Sequence, residues 1–240
     1  MRPAAPVWIA APARQRPSAS YPQRRTTMNL CHASLAGLLA LSGLASADPA
    51  LRPATAAERA AMGVDAADMP LLVREGAIAS RGEVALDPAG GSSAPTLTRS
   101  GIAFNGRTSA FAFSTVGNSL VCTGSSEPFA TATLDLPDQA QIIYVDTFGF
   151  DTSTSKDLTT HLLSVCLPSF AAGTPVLTNL GSVSSGGGAN NFFTRLDLSA
   201  APVTVDNYTC RYLARVRMAE GACAGSRIML DKVRVSYTQP

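Results

Sequence analysis

Histidine, tryptophan and closely spaced cysteines are scarce in this sequence, and their scarcity excludes several kinds of site. The 240 residues contain two histidines, five cysteines and one tryptophan. Zinc sites usually combine several histidines with cysteines spaced as C-x2-C, and that spacing does not occur. The G-x-S-x-G turn that presents a serine nucleophile is also missing. We therefore expect no cofactor, no zinc centre and no serine-hydrolase triad.

Apolar runs long enough to cross a membrane are missing too, but one run suits a secretory signal. Residues 34–44 are apolar over a stretch well short of the roughly 20 residues that a spanning helix needs. The small residues Ala45-Ser46-Ala47 follow, and Asp48-Pro49 begins a polar segment. The pattern predicts a signal region over residues 1–47, cleaved after Ala47. The mature chain would have no transmembrane segment and would be periplasmic or extracellular.

The start of this signal has more than one interpretation. Met28 begins a signal of normal length, but the residues directly after Met28 include no lysine or arginine. The expected positive charge lies upstream, so either translation starts at Met1 with a long basic region, or residues 1–27 precede the true start. A twin-arginine signal at Arg24-Arg25 is a third interpretation.

Removal of the signal region reverses the sign of the net charge. Residues 1–47 contain five arginines and no acidic residue, which leaves 14 basic and 17 acidic groups in residues 48–240. Nucleic-acid binding depends on clustered lysine and arginine. This balance therefore excludes nucleic acid as the expected partner and leaves a protein or a glycan.

Four cysteines remain after cleavage, an even number that suits an oxidising compartment. Two disulfides are predicted, and four cysteines allow three connectivities. We favour Cys122–Cys166 with Cys210–Cys223, because segments that are neighbours in the chain are usually neighbours in space.

Residues 48–106 form an N-terminal segment rich in alanine, proline and glycine. Thr55 and Glu58 are spaced as a capping box, and good helix formers continue to Gly63, so one short helix is predicted. Short strands are expected at Leu71–Val73 and Glu83–Leu86. The breaker cluster Asp87–Pro95 is interpreted as a linker.

Residues 107–240 are predicted to form an all-β domain. Short runs rich in β-branched and aromatic residues recur between glycine, asparagine, aspartate, serine and proline. Eight or nine such strands with little helical period predict an antiparallel β-sandwich or jelly-roll. The expected strands are Ser109–Ser114, Ser119–Thr123, Ala130–Leu136, Gln141–Phe150, Leu158–Leu167, Pro175–Leu180, Asn191–Leu198, Tyr208–Met218 and Arg227–Tyr237.

The last two strands show the clearest alternation. Tyr212, Ala214 and Val216 fall on one face of their strand, and the intervening arginines fall on the other, as in a half-buried strand. We expect the loop Ala219–Ser226 to close a hairpin between these strands. Glycine-rich Gly181–Asn190 is expected to be a mobile surface loop, because ordering glycine costs much conformational entropy.

Several of these segments together resemble a known pattern. The motif Leu136-Pro137-Asp138-Gln139-Ala140-Gln141-Ile142-Ile143, then Phe148-Gly149-Phe150-Asp151 and Lys156-Asp157-Leu158, with the closing strand Val233–Tyr237, resembles exported bacterial β-sandwich proteins of unknown role. The resemblance covers about Phe129 to Tyr237 and implies a fold without a chemistry. Gln139 stands where that pattern has glycine or aspartate in the turn.

Candidate sites in the mature chain are few. His161 is its one histidine and is interpreted as a structural or surface residue of a strand. Asp151, Ser153, Ser155 and Asp157 place oxygen side chains at every second residue, which is a weak calcium pattern. Glycine and glutamate are missing where an EF-hand loop needs them, so a polar hairpin turn is the simpler account.

Three functions follow from this sequence. The leading hypothesis is an exported, non-enzymatic structural or interaction protein, because no catalytic constellation is visible. The second is a carbohydrate-binding or adhesin-like module that acts through the loops Gly181–Asn190 and Asp151–Asp157. The third is a hydrolase that uses Asp146, Asp151 and Asp157.

Overall fold

The computed structural model describes residues 50–64, 70–75, 78–80, 94–109, 111–124, 128–167, 173–186, 190–219 and 221–239. The predicted signal region, the predicted strand Glu83–Leu86 and most of the predicted linker lie outside these residues. The described elements are β1 (Leu51–Pro53), α1 (Ala56–Ala61), β2 (Leu71–Arg74), β3 (Ile78–Ser80), β4 (Thr96–Ser100), β5 (Asn105–Gly106), β6 (Phe113–Val116), β7 (Ser119–Cys122), β8 (Phe129–Leu134), β9 (Gln141–Asp151), β10 (Thr159–Cys166), β11 (Val176–Ser184), β12 (Asn190–Asp197), β13 (Val203–Thr204), β14 (Cys210–Arg217) and β15 (Ile228–Thr238), with single 3-10 turns at Gly101–Ala103 and Gly225–Arg227.

The strands form two sheets packed as a sandwich. In the described part of the chain, the first sheet has the order β1-β2-β11-β10-β14-β8-β5. The second has the order β3-β12-β9-β15-β7-β6, with β13 beside β9 and β4 beside β15. Neighbours run antiparallel except β2 and β11, which are parallel. The all-β sandwich predicted from the sequence is confirmed.

One main core fills the space between the sheets. Leu162 and Ala214 reach it from the first sheet, and Val145 and Val233 reach it from the second, all at most 1% exposed. The alternation predicted for β14 is confirmed, because Tyr212, Ala214 and Val216 are buried. In β15, Val233 is buried as predicted, but Ser236, which was assigned to the outer face, is buried as well, next to a register shift between Ser236 and Tyr237. Among the described residues, none lies in a helix long and apolar enough to span a membrane.

The last two strands do not form a hairpin, contrary to our expectation. β14 pairs with β10 and β8 in the first sheet, whereas β15 pairs with β9, β7 and β4 in the second. Alternation shows that each strand buries one face, but it does not say which strands are neighbours. The two buried faces meet across the core, so residues 218–227 connect the sheets.

Two further expectations about loops and strands were wrong. β11 continues to Ser184, so the first part of the predicted loop Gly181–Asn190 is strand. Ser185 is buried and donates its hydroxyl hydrogen to Asp151, so this end of the loop is fixed. The predicted strand Ser109–Ser114 is displaced, because pairing with β7 begins at Phe113 and runs to Val116.

The N-terminal segment contributes to both sheets. β2 joins β11 in the first sheet, and β4 joins β15 in the second. No boundary near residue 106 is therefore visible in the strand pairing of the described residues. The predicted helix is confirmed as α1, with Thr55 as N-cap, Glu58 completing the capping box and Gly63 at a φ of +64° after its end.

The segment around α1 covers part of the outer face of the first sheet. Met62 and Val64, directly after the helix, form a second apolar cluster with Leu71, Leu163 and Leu177. These strand residues point away from the main core. The helix therefore lies on the sandwich as a third layer over this patch.

The disulfide pairing that we favoured is wrong. The bridges join Cys122 to Cys223 and Cys166 to Cys210, with Cα–Cα distances of 5.6 and 4.0 Å. Cys166 and Cys210 are register partners on neighbouring strands β10 and β14. Cys122 ends β7, which is the neighbour of β15, and Cys223 lies in the segment that leads into β15. Strand pairing, not proximity in the chain, selects the partners.

Gln139, in the turn before β9, adopts a left-handed backbone conformation. Its φ is +62°, a value that glycine tolerates best. Its amide donates to the Val205 carbonyl, and the Val205 amide donates to the Ala140 carbonyl. These two hydrogen bonds hold the turn before β9, although Gln139 stands where the resembled pattern has glycine or aspartate.

Candidate functional site

Asp146, one of the three candidate catalytic acids, lies at the centre of the outer face of the second sheet. Its side chain is 0% exposed, although it points away from the main core. Arg195 and Arg234 are its register partners on β12 and β15. Arg195 donates from Nε and Nη2 at 2.7 and 3.1 Å, and Arg234 donates from the same two atoms at 3.1 and 3.0 Å. Two guanidinium groups thus enclose one carboxylate.

Aromatic rings lie beside these arginines. The Arg195 guanidinium lies 4.4 Å from the ring centroid of Tyr144 and 5.3 Å from that of Phe193. Phe148 packs against Phe193 with ring centroids 5.1 Å apart, and Arg234 lies 5.1 Å from its centroid. The Lys232 ammonium lies 4.5 Å from the same ring. We call this surface the cation–aromatic face, formed by Tyr144, Asp146, Phe148, Phe193, Arg195, Lys232 and Arg234.

The cation–aromatic face presents three cations. Asp146 lies among them, and two further acidic residues, Asp197 of β12 and Asp231 of β15, lie beside it. Hydrogen bonding to Asp146 raises the pKa of Arg195 above its ordinary value. Because the cations lie over the rings, the face is suited to acidic groups more than to flat stacking on open aromatic surfaces.

The weak calcium candidates form a turn that uses its own oxygen atoms. Asp151 Oδ1 accepts from the Ser153 amide at 2.9 Å, and Ser153 Oγ accepts from the Lys156 amide at 3.1 Å. Asp151 also accepts from Ser185. Ser155 is exposed and Asp157 is half-buried. These are the local bonds expected of a polar turn, but the turn connects β9 to β10 in different sheets and is not a hairpin.

The two loops named as candidate surfaces meet at this turn. Ser185 bonds to Asp151, and the Leu158 amide donates to Ser185 Oγ at 3.0 Å. The Ser185 amide donates back to the Leu158 carbonyl at 2.9 Å. The sequence predicted both loops as surfaces but did not show that one buried serine ties them together.

Asp146 and Asp151, two of the three candidate acids of the hydrolase hypothesis, do not share a face. Asp146 and Asp151 lie five positions apart on β9, so their side chains point to opposite faces. That spacing places their Cα atoms about 17 Å apart at roughly 3.3 Å per residue. Paired carboxylates in glycosidases lie about 5–10 Å apart. Asp146 and Asp151 therefore do not form such a pair.

His161 is buried on the outer face of the first sheet, beneath the segment around α1. It is 4% exposed, and neither ring nitrogen has a hydrogen-bond partner of normal geometry. Burial, together with the positive charges of Arg215 and Arg217, lowers the pKa of His161 to about 3, while the Ala61 backbone acts weakly in the opposite direction. The ring is therefore neutral near pH 7.

This lowered pKa predicts a stability change with pH. Between about pH 6.5 and pH 3 the unfolded chain binds a proton at His161 and the folded chain does not, so stability falls as the pH falls. We expect His161 to contribute a loss of about 1.4 kcal/mol per pH unit in that window. Urea unfolding at about pH 7 and pH 5 measures it, and the His161→Gln variant should lose correspondingly less. If the unmodified chain and the His161→Gln variant lost the same stability between pH 7 and pH 5, His161 would not be the source of the pH dependence.

A cavity of about 680 Å³ opens at one end of the sandwich. Ser164, Thr178 and Tyr212 line it from the first sheet, next to the Cys166–Cys210 bridge. The Tyr212 hydroxyl donates to the Thr204 carbonyl at 3.2 Å and accepts from the Asp206 amide at 3.1 Å. Burial raises the pKa of Tyr212, so this hydroxyl stays protonated. The described part of the cavity wall is mixed in polarity.

Sequence reasoning missed both arginines that enclose Asp146. The alternation in β12 and β15 places Arg195 and Arg234 on outer faces, which was a usable signal. It did not show that β9 lies between these two strands. The pairing that brings the three side chains together is a property of the sheet order.

Comparison with known proteins adds little to this geometry. No family model and no curated protein matches this chain. Among solved structures, it is similar to an exo-β-1,3-galactanase from Phanerochaete chrysosporium with galactose, at 12% identity and a TM-score of 0.32. That similarity covers 59% of this chain and 29% of the galactanase chain, so the chain spans less than a third of the galactanase. Nothing about activity transfers at this level of similarity.

Proposed function

We propose that this chain is an exported, non-enzymatic binding protein that takes an acidic glycan on its cation–aromatic face. Two disulfides support export, because such bonds persist in oxidising compartments. The proposal combines the leading hypothesis from the sequence, a protein without catalysis, with the glycan partner of the second.

The state of Asp146 is the observation that carries this proposal. A catalytic acid or base must reach its substrate and exchange protons. Asp146 is fully buried and accepts four hydrogen bonds from two permanent cations. It therefore acts as an anchor that holds Arg195 and Arg234 flat against the sheet.

The ligand class follows from what the anchored groups present. The side chains of Arg195 and Arg234 are 28% and 24% exposed, so part of each remains in contact with solvent. Lys232 lies on the same face, over the Phe148 ring. In an acidic polysaccharide, the apolar faces of the sugar rings alternate with carboxylates. The aromatic side chains of the cation–aromatic face can pack against the sugar rings, and its cations can pair with the carboxylates. Charge complementarity of this kind favours recognition of acidic chains over neutral ones.

A glycan array with acidic and neutral polysaccharides tests the proposal. We expect saturable binding to acidic glycans that weakens as salt is raised, since exposed charges are screened. Lys232→Glu reverses one charge on the face without removing a partner of Asp146, and we expect it to weaken binding about tenfold.

Arg211→Glu is the matched control. Arg211 is exposed on the outer face of the first sheet, so this variant makes the same charge change away from the proposed face. Binding by Arg211→Glu should equal that of the unmodified chain. Equal weakening by both variants, binding to neutral glycans alone, or binding to no glycan would contradict the proposal.

A further inference from the structure

We propose that the cavity beneath α1 is a binding site for a small organic monocarboxylate, with His161 as its central polar group. The cavity has a volume of about 290 Å³. The residues that matter are His161 on β10, Asn179 and Ser182 on β11, Arg74 on β2 and Glu58 on α1. This site lies on the first sheet, so it is separate from the cation–aromatic face and does not depend on the proposed function.

The unpartnered histidine is the observation that points to a ligand. His161 is 4% exposed and lines the cavity, yet neither Nδ1 nor Nε2 has a hydrogen-bond partner of normal geometry. Buried polar atoms without a partner cost roughly 1–3 kcal/mol, so native structures keep few of them. A group that enters the cavity and bonds to the ring would remove that cost.

The size of the cavity favours a molecule larger than water. One water occupies about 30 Å³ in the liquid, so a single bridging water leaves most of the space empty. The volume is close to the lower limit of about 300 Å³ for small-molecule sites. A sugar acid or another small organic acid suits this space.

The surrounding charges favour an anion. Arg215 and Arg217 on β14 act on His161 with positive charge, and Arg74 lines the cavity from β2. The acidic group at the rim, Glu58, is engaged by Arg52 at 2.5 and 2.9 Å and by the Thr55 amide at 2.8 Å. These bonds lower the pKa of Glu58 to about 2, so it stays ionised.

The same Glu58 carboxylate decides between anions of different charge. Glu58 is paired with Arg52 but stays ionised at the rim, so it repels a dianion such as phosphate more strongly than a singly charged carboxylate. Ser182 and Asn179 add polar groups on the strand beside His161, since Ser182 is the register partner of His161. These two polar side chains are placed to form hydrogen bonds with the hydroxyl groups of a sugar acid.

The test follows the imidazole signals of the full chain by proton NMR during titration with D-glucuronate. The chain contains His32 and His161, and the His161→Gln variant assigns the two signals. We expect glucuronate to shift the His161 signal saturably and to raise the pKa of His161, because a bound carboxylate stabilises the protonated ring. D-glucose, which lacks the carboxylate, should leave the signal unchanged.

Two variants separate binding from loss of structure. Asn179→Asp adds a negative charge to the cavity and should weaken glucuronate binding about tenfold, with the His161 signal of a folded chain still present. Lys232→Glu alters the other sheet and should leave the titration unchanged.

The following results would overturn the proposal: no saturable shift with glucuronate, an equal shift with glucose, a stronger response to inorganic phosphate than to glucuronate, or loss of the response in Lys232→Glu. The last result would locate binding on the cation–aromatic face. Failure of the glycan array alone leaves the cavity proposal standing, because the two sites lie on different sheets.

Discussion

Asp146→Asn is expected to lower the free energy of unfolding by about 2–4 kcal/mol. Removing one partner of a fully buried ion pair typically costs about 3–5 kcal/mol, because the remaining charge is left without compensation. Here Arg195 and Arg234 are each about a quarter exposed, so water recovers part of their solvation. Urea unfolding at neutral pH, followed by circular dichroism, measures the difference.

Asp135→Asn is the control for this prediction. Asp135 also pairs with an arginine, Arg99, but its side chain is 76% exposed. An exposed ion pair contributes about 0–1 kcal/mol, so the control should unfold close to the unmodified chain. If Asp146→Asn were as stable as Asp135→Asn, Asp146 would not be the anchor of the cation–aromatic face.

The partners of Asp146 should be coupled to it energetically. Arg195→Gln removes one guanidinium and leaves Arg234 to neutralise the carboxylate, so its cost should be smaller than that of Asp146→Asn. The loss of stability in Arg195→Gln plus the loss in Asp146→Asn should exceed the loss in the variant that carries both changes, because both substitutions remove the same interaction. Strict additivity would show that the two side chains act independently.

Removal of the Cys122–Cys223 bridge is the second change with a large expected effect. The bridge closes 101 residues of chain. By the loop-entropy relation a closure of this length stabilises the folded state by about 4.7 kcal/mol, and measured losses run at about 2–5 kcal/mol. The variant Cys122→Ala with Cys223→Ala should therefore unfold at a clearly lower urea concentration.

The second bridge provides the matched comparison. Cys166–Cys210 closes 44 residues, for which the same relation gives about 4.0 kcal/mol. Its removal should cost slightly less than removal of Cys122–Cys223. Peptide mapping without reduction checks the pairing itself, and a peptide that joins Cys122 to Cys166 would contradict the structure.

The elements with a strong local signal were predictable from the sequence. The capping box of Thr55 and Glu58 located α1, since both side chains bond within one turn of the chain. Alternation located β14 and β15 to within two residues, because each strand buries one face. The prediction of a strand at Ser109–Ser114 was wrong because the apolar residue Phe111 packs into the core from outside β6.

The candidate site was only partly predictable. Asp146 was named from the sequence, but as an acid that works beside Asp151 and Asp157. The structure places it between two arginines from distant parts of the chain. His161 was expected to be structural or on the surface, and the α1 segment that buries it was assigned to a separate N-terminal region.

The sequence by itself determined the all-β class, the short capped helix and the presence of two disulfides among its cysteines, because each depends on neighbouring residues or on composition. The tertiary structure decided which strands share a sheet, which cysteines bond and what surrounds Asp146 and His161. Those features depend on contacts between residues far apart in the chain. The entropy of closing a loop rises only slowly with its length, so proximity in sequence is a poor guide to such partners.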